Sequence, residues 1–211
     1  MGTRTTGLRE AKKQETRQLI SDHATRLFMA QGFEATTISE IAGAARVAKK
    51  TVTNYFARKE DLALDHQEEF VAALAGTVSG RAPGESALSA LRRAFAEDVA
   101  RRSPVAGFAG PDFSRMVADS PTLTARLRDL HDLRQEALTR ALREATGADA
   151  EDITPAAAAA QLGSAYRLLF ERIQALTLAG HSNDAIAGRV ADEATRVFDL
   201  LEPALADYAV A

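Results

Sequence analysis

Apolar residues in this chain return every three or four positions, and no stretch alternates with the period of a strand. Ile20, Ala24, Leu27 and Phe28 share one helical face within about residues 9–31. Ile38, Ile41, Ala42 and Ala45 form the stripe of a second helix, and Leu62, His66, Phe70 and Leu74 that of a fourth. Ile186, Val190, Ala194, Val197 and Leu201 mark the last. A chain patterned this way builds its core by packing helix on helix. The expected fold is all-α, with about nine helices.

Local signals set the helix ends. Gly32 stops the first helix, and Phe33 is expected to fold back onto the core. Thr37 and Glu40 have the spacing of a capping box, which starts the second helix at Ile38. A break at Arg46-Val47 leads to a third helix over 49–56, and a fourth is expected from about 59 to 78. Gly80, Pro83 and Gly84 mark a loop before a helix over 85–102. Residues 104–119 read as a short helix or a loop-helix mixture, because Gly107, Gly110 and Pro111 interrupt them. Ser120-Pro121 and Thr154-Pro155 each read as a cap followed by proline at the first helical position. They open helices to about 146 and 179, and the last helix runs over about 183–201.

Composition narrows the function. Hydrophobic residues make up 46% of the 211, enough for a real core. Cysteine is absent, which excludes disulfides and thiolate zinc sites and fits a reducing cytosol, so a cytoplasmic location is expected. No apolar run reaches membrane-spanning length, and the polar start lacks the apolar centre of a secretory signal. The net charge of −3 conceals an asymmetry. Residues 1–59 hold 11 Lys and Arg against 5 Asp and Glu, whereas residues 60–211 hold 15 against 24. All five lysines lie at or before Lys59. A basic head on an acidic body points to a polyanion partner for the head.

Thr36 to Leu62 gives that partner a form. Two short helices joined by a tight turn, the second basic and rich in hydroxyls, suit a helix-turn-helix whose second helix enters the DNA major groove. Ile41, Ala42, Ala45, Val47, Val52 and Phe56 supply the inner packing. Lys49, Lys50, Thr51, Thr53 and Asn54 project outward toward base edges, while Thr37, Tyr55 and Lys59 are placed to grip phosphates.

The segment resembles the tetracycline-repressor (TetR) family of bacterial transcription regulators. The resemblance rests on ATRLF at 24–28, Gly32-Phe33, ATTISEIAGAA at 35–45, Val47, Thr51-Val52, Tyr55-Phe56 and Lys59 to Leu62. It implies an all-helical homodimer, a three-helix DNA-binding head over residues 1–58, and an effector-binding and dimerisation domain over 59–211. Three positions depart from the family pattern. Arg46 stands where glycine is usual in the turn, where a left-handed conformation costs about 1 kcal/mol and the side chain is within reach of a phosphate. Ala48 replaces a serine or threonine cap, a loss of about 1 kcal/mol. Thr53 stands where tyrosine is frequent. These changes bear on which bases are read more than on whether DNA is bound.

For the second domain, the expected effector is small and hydrophobic, held inside the helical bundle by residues drawn from Phe108, Phe113, Met116, Leu127, His131, Tyr166 and Phe170. The loop over 104–111 is a candidate gate. The last two helices are expected to pair with their copies, through Ala158, Gln161, Ala165 and Leu169 and through the stripe of the last helix. A two-fold dimer then presents two recognition helices about 34 Å apart to a palindromic double-stranded operator. Neither catalytic residues nor a metal or cofactor site is expected, since His23, His66, His131 and His181 are scattered and no phosphate loop or nucleophile elbow is present. A scaffold bundle that ignores DNA is the alternative left open by the residues.

Overall fold

The computed structural model describes residues 3–211, with side chains described from residue 11 onward. The described residues form ten α-helices: α1 Thr3–Gln31, α2 Ile38–Ala44, α3 Lys49–Tyr55, α4 Glu60–Ala63, α5 Gln67–Ser79, α6 Ala87–Arg101, α7 Pro111–Asp119, α8 Pro121–Thr146, α9 Thr154–Leu178 and α10 Asn183–Leu205. A 3-10 turn, Pro104–Ala106, lies between α6 and α7. They gather into two compact units. One holds the residues up to Gln67 with Met116–Arg126, and the other Glu68–Arg115 with Leu127–Ala211.

The first unit packs Ile20, Ala24 and Phe28 of α1 with Ile41 of α2, Val52 of α3 and Leu62 of α4. Gly32 takes φ 87°, a left-handed turn that needs no Cβ, and the chain reverses so that the Phe33 ring lies 5.0 Å from that of Phe28. Thr37 caps α2 as expected: its hydroxyl accepts the Glu40 N–H at 3.2 Å, while its own N–H donates to Glu40 Oε2 at 2.7 Å. Residues of the α7–α8 corner belong to this unit. Ser120 donates to Glu34 and also caps α8 by accepting the Leu123 N–H at 3.1 Å. Arg126 pairs with the buried Asp61 at 3.2 Å.

The second unit is an apolar bundle. Leu74 and Val78 of α5, Leu88, Leu91 and Phe95 of α6, Leu138 and Leu142 of α8, Leu162, Tyr166 and Ile173 of α9, and Val190 and Phe198 of α10 share one core. Residues after α10 run back along the loop before α6, where Gly84 N–H donates to the Ala211 carbonyl and Ala211 N–H to that of Glu85.

The expectation of one helix over 59–78 is corrected. Leu64, at φ −109° and ψ 53°, separates α4 from α5, and His66 is exposed instead of lying on a common stripe. The cause is that Leu62 serves the first core whereas Phe70 and Leu74 serve the second. At α9 the expected Thr154 cap gives way to Asp152, whose carboxylate accepts the Thr154 N–H at 2.8 Å. Finally, α10 runs to Leu205 through Pro203.

Candidate functional site

Within the first unit, α2 and α3 form the helix-turn-helix. Arg46 turns the chain between them at φ 54°, the left-handed conformation that suits glycine best. Its cost is offset by two bonds, from Arg46 N–H to the Gly43 carbonyl and from Val47 N–H to that of Ala42. Ala48 gives α3 no side-chain cap. Val52 and Phe56 are buried, which fixes the rotation of α3 and leaves Lys49, Lys50, Thr53 and Asn54 exposed beside Arg46. Thr51 and Tyr55 are half-buried. The Thr53 hydroxyl donates to the Lys50 carbonyl at 3.1 Å.

Two residues expected to grip phosphates are engaged within the fold. Thr37 is exposed, but its hydroxyl and N–H both meet Glu40, whose carboxyl is held below its usual range by the Thr37 N–H and hydroxyl. Lys59 lies over the Phe33 ring at 4.2 Å, and its ammonium donates to the carbonyls of Phe33 at 2.8 Å, Thr36 at 3.1 Å and Glu34 at 3.4 Å. It therefore staples the α1–α2 loop to the start of α4. Arg17 is a second staple, for which the sequence has no local sign. It donates to the Tyr55 carbonyl at 3.2 Å and covers the Phe56 ring at 4.6 Å, tying α1 to the end of α3.

In the second unit the expected effector residues separate. His131, Tyr166 and Phe170 are buried around Phe70 and Arg134. The His131 ring lies 5.1 Å from Phe70 and 5.2 Å from Phe170, edge to face in both cases. Tyr166 donates to the Leu91 carbonyl at 2.6 Å and lies 5.4 Å from Phe95 and 5.9 Å from Phe198, a core role. Phe108 is buried beside the 3-10 turn, with the Arg102 guanidinium 5.9 Å from its ring. The loop expected to gate the site is pinned: the Gly107 carbonyl accepts a bond from the Gln174 side-chain N–H at 2.5 Å, and a Cβ at Gly107 would meet the Phe170 carbonyl at 3.1 Å. Phe113 and Leu127 are half-buried, and Met116 belongs to the first unit instead.

The residues expected to dimerise divide: Gln161 is exposed, and Val197 and Leu201 are half-buried. Ala158, Ala165 and Leu169 of α9, and Ile186, Val190 and Ala194 of α10, are buried in their own chain. The large apolar side chains that α9 and α10 leave exposed are Leu168 at 57% exposure, Leu178 at 39% and Leu200 at 81%. Leu168 and Leu200 line one groove with Arg172, Glu193, Arg196 and Val197. The spacing of α10 marks which positions are apolar, but an intrachain core claimed most of them.

Two predictions follow from this geometry. Replacing Lys59 by Met removes charge-assisted bonds, two of them half-buried, and is expected to cost about 1.5–3 kcal/mol in denaturant unfolding, whereas alanine at Lys49 and Lys50 changes stability by less than about 0.5 kcal/mol. Burial, then Arg134 and Arg167, push His131 down from 6.5 to about 4. A depressed folded value means that stability is present above pH 6.5 and is lost as pH falls toward about 4, because the unfolded chain takes up the proton first. His131→Phe is expected to flatten this acid slope in thermal melts recorded across that window.

Comparison with known proteins accords with the head. Residues 20–65 match the family model of bacterial regulatory proteins of the tetR family. The chain is 31% identical over 151 residues to the HTH-type transcriptional regulator TcmR of Streptomyces glaucescens, covering 69% of this chain and 67% of that protein. Similar folds include NalD, the secondary repressor of the MexAB-OprM multidrug efflux pump in Pseudomonas aeruginosa, at TM-score 0.54 and 18% identity over 89% of this chain and 97% of that one. The SmeT–triclosan complex matches at TM-score 0.56 and 17% identity, over 93% and 95% of the two chains. A TetR-family regulator from Syntrophomonas wolfei matches at 0.58 and 19%, over 89% and 96%. An all-helical chain with a helix-turn-helix head, it belongs to the tetR family of bacterial transcription regulators.

Proposed function

We propose that the protein is a repressor that leaves a palindromic operator when a small hydrophobic effector binds its second domain. The observation that carries this reading is α3. Val52 and Phe56 anchor it, and Lys49, Lys50, Thr53 and Asn54 stand exposed. In this reading Thr53 and Asn54 address base edges in the major groove. Lys49, Lys50 and Arg46 meet phosphates, with Thr51 and Tyr55 at the edges of the contact. Thr37 and Lys59 act by holding the helices in place. Residues 1–58 form the functional head and residues 59–211 the effector and dimer domain. No helix among the described residues is long and apolar enough to cross a membrane.

Repression by a homodimer is supported by the family, and a hydrophobic effector by the rings of Phe70, Phe95 and Phe198 packed around His131, Tyr166 and Phe170. SmeT, a fold neighbour, is described in complex with triclosan. Dimerisation is assigned to α9 and α10 through Leu168 and Leu200. An effector that favours a head spacing unsuited to the operator weakens DNA binding by their coupling free energy, typically about 1–3 kcal/mol. In this reading helix α8 is the lever, because Ser120 and Arg126 at its start bond Glu34 and Asp61, while His131 and Arg134 follow farther along it.

The decisive experiment selects bound duplexes from a random pool, then compares wild type with the Lys49→Ala/Lys50→Ala variant on the winner. The variant is expected to bind more weakly and to lower the slope of log affinity against log salt by about 2. Unchanged affinity and slope would return the scaffold reading. Leu200→Arg is expected to shift the mass in solution from dimer to monomer by light scattering and to weaken operator binding; a variant that stays dimeric refutes the assigned face.

A further inference from the structure

Helix α8 turns a face inward that is apolar except over one turn. Leu130, Leu138 and Leu142 are buried there, and between them stand His131 and Arg134. Arg134 is 3% exposed. Its guanidinium lies 4.4 Å from the centroid of the Phe70 ring and 5.2 Å from that of Tyr166. Its Nε and Nη1 are buried and have no hydrogen-bond partner, and Nε2 of His131 is in the same condition. The rings of Phe70, His131 and Phe170 close around that turn, all edge to face at 5.1–5.7 Å.

An arginine so placed is expensive. Ring faces attract the cation from above and below its plane, but its N–H groups point along that plane and need acceptors. The field of Asp98 reaches it, yet Asp98 accepts a bond from Arg101 at 3.0 Å. Burial pushes Arg134 down to about 10, so it still carries its charge at neutral pH. Arg167, whose charge also acts on His131, pairs with Glu171 at 2.9 Å. No carboxylate among the described residues pairs directly with the guanidinium. Leucine in its place would continue the stripe of α8 without that penalty.

We propose that the effector is a small flat aromatic molecule bearing one anionic oxygen group, such as a carboxylate, which takes the open donors of Arg134 while its ring packs among Phe70, His131 and Phe170. This rests on the reading of the second unit as an effector domain and adds the chemical class. One cation in the cluster calls for one negative charge. An anionic oxygen forms the stronger, charge-assisted kind of bond, and a flat ring matches the aromatic edges around it. Nε2 of His131, neutral at physiological pH, is the second polar contact on the same turn.

The test titrates the full-length protein calorimetrically with matched acids and amides of one, two and three rings: benzoate and benzamide, naphthoate and naphthamide, anthracene carboxylate and its carboxamide. At least one acid is expected to bind about tenfold or more tighter than its amide. Arg134→Met and Arg134→Gln are expected to lose about tenfold in affinity for that acid while their affinity for the amide stays within about twofold. The ligand-free Arg134→Met protein is expected to melt no lower than wild type, because it loses a buried charge that lacked a partner. The same acid is expected to release wild type, but not Arg134→Met, from the selected duplex. The proposal is overturned if no acid binds at millimolar concentration, if acid and amide bind alike, if Arg134→Met keeps the preference, or if ligand-free Arg134→Met melts below wild type. A protein that ignores every duplex defeats the repressor reading, and the calorimetric comparison still decides the acid class.

Discussion

The hydroxyl of Tyr166 reaches the Leu91 carbonyl from inside a core that is otherwise apolar, and the ring that carries it is held edge to face by Phe95 and Phe198. A buried hydroxyl left without its acceptor costs about 1–3 kcal/mol, so this bond sets the rotation of α9 against α6 and, through Phe198, the seat of α10. Burial raises the phenol above its ordinary value, which keeps it a donor at any physiological pH. The face of the same ring is the one near Arg134. The apolar core and the polar turn of α8 thus meet at a single side chain.

The first unit is built differently. Helices α2 and α3 have seven residues each, far below the length at which a helix persists alone. The core around Ile20, Phe28, Ile41 and Val52 supplies part of what they need. The remainder comes from polar staples: the reciprocal Thr37–Glu40 cap, Lys59 on the loop carbonyls, and Arg17 on the end of α3. The cap and Arg17 bond backbone groups that the short helices leave open, and Lys59 bonds carbonyls of the loop between α1 and α2. The exposed face of α3 is thereby left free of structural duty, apart from the bond from Thr53 to the Lys50 carbonyl.

What the sequence made legible was local. The Thr37–Glu40 box, the Gly32 reversal, the seating of Phe33 and the Ser120-Pro121 start all depend on neighbours a few residues away, and all are found in the structure. The division of α4 from α5 was hidden, because Leu62, Phe70 and Leu74 have helical spacing whether they serve one core or two. Spacing also cannot tell an intrachain face from a surface one: Ile186 and Val190 share an apolar stripe that suits either, yet both are buried while Leu200 is exposed. Lys59 and Arg17 were illegible as staples because their acceptors lie 26 and 38 residues away. Arg134 was hidden for the opposite reason: one arginine among several on an amphipathic helix reads as solvated, and only the fold shows it enclosed.

The lysines carry a chemical consequence. No primary side-chain amine occurs after Lys59, while Lys49 and Lys50 stand exposed on α3 and the ammonium of Lys59 is tucked against three carbonyls and a ring. An acylating agent, or an acetyltransferase, therefore meets exposed lysines only in the first unit, at Lys12 and Lys13 of α1 and Lys49 and Lys50 of α3. Such a reagent erases positive charge there and leaves the aromatic interior of the bundle unmarked.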